Sequence, residues 1–169
     1  RVVTAAGLDA WIDRRLRGRA ALARAQSASL AGLLQDPARV PVLRPLLQDR
    51  SSLVRQSAAL ALMRLRDGAS VPAVIRQAGE RGRFEGLRFL LLEFGPDIVP
   101  VLARELASEP LPPGAMAAVV ETLRGFNFMD TAAVLPLAAP GNPLPVRHAA
   151  VKLLAAVQDP RLVDFFRAA

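Results

Sequence analysis

Apolar residues in this chain arrive in blocks with a helical rhythm. In LVRQSAALALMRL (53–65), Val54, Ala58, Ala61, Leu62 and Leu65 recur at spacings of three and four, which places them on one face of a helix. PVRHAAVKLLAAV (145–157) repeats the pattern with Val146, Ala150, Leu153, Leu154 and Val157. Each block ends on a large apolar residue. Leu34, Leu65, Phe94, Phe126 and Val157 are separated by 31, 29, 32 and 31 residues. A polar break follows each one: QDP, RDG, GPD, NFMD and QDP again. An aliphatic segment then resumes, as in RVPVL (39–43), SVPAVI (70–75) and DIVPVL (97–102). A fixed period of this length is the mark of a repeat architecture.

Each period holds two helical patterns. The first is short and carries an early proline: Pro41, Pro72 and Pro100 fall near a helix start, where a missing N–H is harmless. Pro45 falls later and is expected to kink its helix. Asp36 and Asp159 are expected to cap the breaks, with Pro37 and Pro160 in the first turn. Two antiparallel helices cannot bury both faces alone, but stacked neighbours can. Small residues on the second helix, such as Ala58-Ala59 and Ala149-Ala150, allow close approach. The expectation is an all-α fold: an α-solenoid of about five antiparallel helix pairs. It forms one domain over residues 1–169, with repeat breaks near 36, 67, 96, 129 and 159. Because the chain starts at Arg1 and not Met, it is expected to be a fragment of a longer one.

The stretch LLQDRSSLVRQSAALAL (46–62) resembles a HEAT repeat, in particular the short bacterial kind shared with phycobilin-lyase-like proteins. Asp49 matches the family's turn Asp, and Val54-Arg55 its Val-Arg six residues on. Val146-Arg147 followed by HAAVKLL matches the second half, without the Asp. The repeats ending at Phe94 and Phe126 keep the apolar spacing but not Val-Arg. The resemblance runs from about Ala20 onward. It implies a structural ladder of Asp49, Arg55 and Arg147, in which the turn Asp accepts from backbone N–H groups and pairs with Arg across stacked turns. It implies little about function, because repeat folds host many roles.

Composition narrows the chemistry. With 52% hydrophobic residues a sizeable core is available, and aromatics at 5% leave it mostly Ala, Leu and Val. Cysteine is absent and His148 is the only histidine, so no Cys/His zinc cluster forms within one chain. His148 lacks a Ser-Asp constellation around it in sequence. Glu80, Glu85 and Glu93 share a repeat, but no carboxylate pair is set apart by its spacing. GERGRFEG (79–86) has three glycines but follows no strand and lacks Lys-Ser/Thr, so it reads as an inter-helix turn and not a phosphate loop. No catalytic residue, metal or cofactor is expected. No apolar run approaches the ~18 residues of a membrane span. The Arg bias, 21 of the 22 basic residues with Lys152 the exception, and the heavy use of Ala point to a GC-rich bacterial source.

The net charge is +7, and residues 1–24 carry six Arg against two Asp. Leu8, Trp11 or Ile12, and Leu16 form an apolar stripe there, surrounded by Arg14, Arg15, Arg17 and Arg19. This segment reads either as the first helix of an end repeat or as a basic helix drawn to anionic headgroups. The second helices are expected to line a concave face. The period places Gln56, Glu85 and His148 at one position on it, and Leu60, Phe89, Glu121 and Lys152 at another. Leu60 and Phe89 are expected to be adjacent, as are Glu121 and Lys152. An apolar patch with mixed charge suits a protein or peptide partner. A nucleic-acid groove would be uniformly basic.

The function expected is a non-catalytic scaffold that holds another protein. It would be cytoplasmic, at the inner membrane's cytoplasmic face if a segment before Arg1 tethers it. A nucleic-acid-binding or alkylated-base-repair role is the alternative, supported by the positive charge. A bilin-lyase-like activity, implied by the resemblance alone, ranks third. The identity of the partner and the oligomeric state are not legible.

Overall fold

The computed structural model describes residues 5–79, 86–108, 111–157 and 162–163. Helices and turns alternate through all of them, with no strand among the described residues. The chain divides into two compact units, residues 1–74 and 75–169.

In the first unit, α1 (Ala5–Leu16) packs against α2 (Ala21–Leu33), and α2 packs along α4 (Ser52–Arg64). Between α2 and α4 the chain makes a 3-10 turn over Pro37–Arg39, the short α3 (Val40–Leu43) and a second 3-10 stretch over Arg44–Gln48. Pro45, where a kink is expected, stands where α3 gives way to the 3-10 stretch; proline cannot donate to the turn before it. Asp36 caps its turn through a bond from the Ala38 N–H to Oδ1 at 3.0 Å. Ile12, Leu16, Ala28, Ala31, Leu43, Val54, Ala58, Ala61 and Leu62 form the core of this unit and are essentially inaccessible to solvent.

Close approach of α2 and α4 depends on small residues. A Cβ added to Gly32 would lie 2.6 Å from the Ala61 Cα and 2.9 Å from its Cβ. Only a residue with no side chain fits there.

The second unit repeats the plan. After α5 (Val71–Gly79), which begins in the first unit, come α6 (Leu87–Glu93), α7 (Val99–Ala107), α8 (Pro113–Gly125), α9 (Thr131–Val134) and α10 (Leu144–Val157). The second helices α6, α8 and α10 pack in series. Leu91, Phe94, Ile98, Leu102, Val119, Leu123, Leu153 and Leu154 fill the core between them and the first helices. Pro113 occupies the first position of α8, where its lost N–H needs no partner. Asp130 caps α9 through Oδ1, which accepts from the Ala132 N–H at 3.1 Å. A 3-10 stretch over Leu135–Ala138 follows α9 and contains Pro136, the counterpart of the Pro45 break.

The period has a backbone cause. Gln35, Arg66, Gly95 and Asn127 have φ of 51°, 52°, 88° and 55°, and each directly follows the last apolar residue of its block. A left-handed residue at this point ends a helix and turns the chain. At Arg66 and Asn127 the closing bonds are present: Asp67 N–H donates to the Leu62 carbonyl, and Phe128 N–H to the Leu123 carbonyl, both at 3.0 Å. The break at Val157 and its QDP, including the Asp159 cap, lies outside the described residues.

Candidate functional site

Stacking buries one side of each second helix and leaves the opposite side open. On α2 the open side carries Leu22, Gln26 and Leu33. On α4 it carries Leu53, Gln56, Leu60 and Arg64. Eleven residues separate Leu22 from Leu33, and seven separate Leu53 from Leu60. Either spacing returns a helix to the same face. Leu22 is 60% exposed, Leu33 63%, Leu53 47% and Leu60 37%. Two adjacent helices therefore present four leucines, two amides and one terminal Arg. Isolated exposed leucines are ordinary; here four lie on two neighbouring helices.

In the second unit the corresponding row is aromatic and charged. Phe89 on α6 is 66% exposed, with the Arg88 guanidinium 5.5 Å from its ring centre. Arg88 also lies 3.8 Å from a Glu121 carboxylate oxygen on α8. Glu121, expected beside Lys152, thus has its observed ion pair with Arg88, one helix earlier. A guanidinium reaches across adjacent stacked helices, and Arg88 is directed there by its stacking on Phe89. His148 and Lys152 are exposed one turn apart on α10. Nothing among the described residues orients the His148 imidazole. Glu85 lies outside the described residues. Leu60 and Phe89 belong to different units and are each exposed within their own.

The motif pair resolves into a different network. The Asp49 carboxylate is gripped by Arg24, one period before Arg55, through Nε to Oδ2 at 2.8 Å and Nη2 to Oδ1 at 2.9 Å. Asp49 Oδ1 also accepts from the Ser51 N–H at 2.8 Å. Arg55 donates instead to the Asp49 backbone carbonyl. Arg24 Nη1 reaches the carbonyls of Gly18 and Arg19 at 2.8 and 2.7 Å. Both partners of the Arg24–Asp49 pair are about nine-tenths buried. Hydrogen bonding to Arg24 holds the Asp49 carboxyl below the usual carboxylate range, and the same bond raises Arg24 above its ordinary value. Arg147 is half-buried on α10, with its Nε buried and unpartnered among the described residues.

Residues 8–84 match the family model of HEAT repeats. Residues 8–84 are therefore similar to HEAT repeats. The match spans the first two helix pairs of the chain and enters the third. It is to HEAT repeats as a class and does not separate out the phycobilin-lyase-like kind. No curated protein matches the chain. HEAT repeats generally mediate protein–protein interaction, and a protein partner is consistent with that class.

The N-terminal Arg residues take three positions. Arg14, Arg17 and Arg19 are exposed. Arg15 stacks over Trp11 at 4.6 Å and donates to Gln26 Oε1 at 3.3 Å. Of the apolar stripe, Ile12 and Leu16 are buried in the core of the first unit, and Trp11 remains 44% exposed under Arg15. No described helix is long and apolar enough to cross a membrane.

Two features escaped the sequence pattern. Arg39, 4% exposed, binds Asp9, Asp13 at 3.0 Å and Asp36 at 3.2 Å, and so ties α1 to the next repeat. Leu22 and Leu53, 31 residues apart, both lie in the first turn of a second helix and both are exposed. The period contained that second signal.

Proposed function

We propose that this chain is a non-catalytic scaffold that holds another protein along the open side of its second helices. The observation that carries the proposal is the row of exposed leucines on α2 and α4 in the first unit; the second unit exposes Phe89 on α6. Leucine and aromatic anchors with few charges are what a protein partner buries. Gln56, Leu60, Phe89, Glu121, His148 and Lys152 are its contact residues, with Leu22, Leu33 and Leu53 added. A nucleic-acid role fits this side less well, because Leu and Gln dominate it on α2 and α4 and Arg64 stands at its end. Arg14, Arg17 and Arg19 remain available to an anionic surface, which a membrane-side location would use.

The test is affinity capture from lysate of the source organism, soluble and membrane fractions apart. Wild type is compared with the Leu60→Ala/Phe89→Ala double variant. A protein retained by wild type and lost by a folded variant supports the scaffold reading. Capture that is unchanged by the variant removes this side of the helices from the account.

A further inference from the structure

A second surface lies away from the second-helix row. An open groove of about 720 Å³ runs between the loop after α1 and the segment from α3 to Gln48. Pro41, Val42, Pro45 and Leu46 give it an apolar wall, and none of the four is fully buried. Arg17, Arg19 and Arg50 stand exposed around it. At its base is the Arg24–Asp49 pair.

That pair sets the charge of the groove. Asp49 is the only acid lining it, and Arg24 engages both carboxylate oxygens. The field left in the groove is that of three uncompensated guanidinium groups. Arg24 also fixes the geometry, because its bonds to the Gly18 and Arg19 carbonyls hold the loop that presents Arg17 and Arg19. The backbone that carries Arg17 and Arg19 is therefore preorganised, and less ordering entropy is lost on binding.

We infer that this groove binds an extended acidic peptide segment of a partner protein, with carboxylates flanking an aliphatic side chain. Guanidinium groups take carboxylates in a bidentate fork, and the proline-rich wall takes the aliphatic group. In an extended strand residues i, i+2 and i+4 point to the same side about 6.5–7 Å apart, so a stretch with acids at i and i+4 and an aliphatic residue at i+2 presents all three to the groove. The groove lining contains no aromatic side chain, which disfavours stacked bases. Its concavity disfavours the plane of a membrane.

The experiment is a titration of the ¹⁵N-labelled full chain with the nine-residue peptide Ser-Ser-Glu-Ser-Leu-Ser-Glu-Ser-Ser, read by amide chemical shifts. Shifts should cluster at Gly18, Arg19, Val42 and Leu46. The apparent affinity should fall about tenfold or more in an Arg17→Glu/Arg19→Glu/Arg50→Glu variant, whose fold is checked by circular dichroism. A peptide with Gln in place of Glu should bind at least tenfold more weakly, and Leu22→Ser/Leu53→Ser should leave binding unchanged. Four results would overturn the inference. They are no shifts at millimolar peptide, shifts confined to the open side of α2 and α4, equal binding of the Gln peptide, and self-association through the groove that charge reversal abolishes.

Discussion

Gly32→Ala isolates the close packing of α2 on α4. The added methyl would sit 2.6 Å from the Ala61 Cα and 2.9 Å from its Cβ, whereas carbon atoms prefer about 3.5–4.0 Å. The obstacle includes backbone, so no rotamer change relieves it. The two helices must part by roughly 1 Å, which also loosens the fully buried Ala28, Ala31, Ala58 and Leu62. Overpacking of this kind costs typically 1–3 kcal/mol, and contact with backbone places it near 3. The substitution also gains about 1 kcal/mol, because Ala is the better helix former. The net expectation is a destabilisation of about 2 kcal/mol, or roughly 4–8 °C in Tm for a chain of this size. Urea and thermal unfolding followed by circular dichroism measure it. Ala61→Gly in the same background removes the clash at 2.9 Å but leaves the one at 2.6 Å, so rescue should be partial. Gly141→Ala is the control, because its Cβ would meet nothing within 4 Å, and its effect should stay within about 0.5 kcal/mol. A rise in stability on Gly32→Ala would mean that helix propensity wins, and would refute the packing argument.

Further outcomes follow from the backbone and from the buried ion pair. Gly95 has φ 88° and ψ 174°, a region open essentially to glycine. Gly95→Ala should therefore cost about 1–3 kcal/mol in urea unfolding. Gln35→Gly and Arg66→Gly should instead stabilise by up to about 1 kcal/mol, because each relieves a left-handed non-glycine residue. The Asp49 carboxyl is depressed in the folded state, chiefly by its bond to Arg24. Its contribution to stability is thus present above the ordinary carboxylate pKa near 3.9 and lost as pH falls through the folded value. Asp49→Asn should lower stability at pH 7 and flatten the fall in urea midpoint below about pH 4; an unchanged acid limb would show that the pair is not linked to folding.

What could be read in advance was what depends on neighbours in sequence. Leu34, Leu65, Phe94 and Phe126 mark helix ends because a left-handed residue follows each, and apolar spacing reports a helix face directly. The partner of Asp49 could not be read this way. The motif offers Arg55, six residues on, but the carboxylate meets Arg24 because the stacking offset of α2 and α4 brings the preceding repeat to it. Arg39 is a similar case, since its aspartates come from α1 and from the turn before it. Periodicity also identifies which residues share a face without stating which face is covered. In sequence alone Leu22, Leu33 and Leu53 are indistinguishable from core apolar positions, although the structure leaves them open.

Photo-crosslinking reports which side of the helices a partner covers. A photoreactive amino acid is placed singly at Gln56, Leu60 and Phe89 on the second helices, and at the exposed Pro100 and Ala132 on first helices. Irradiation in cells of the source organism is followed by blotting for covalent adducts. The account predicts one discrete protein adduct from the second-helix positions and none from Pro100 or Ala132. Adducts from the first-helix positions alone, or nucleic acid in place of protein at Leu60 and Phe89, would contradict it.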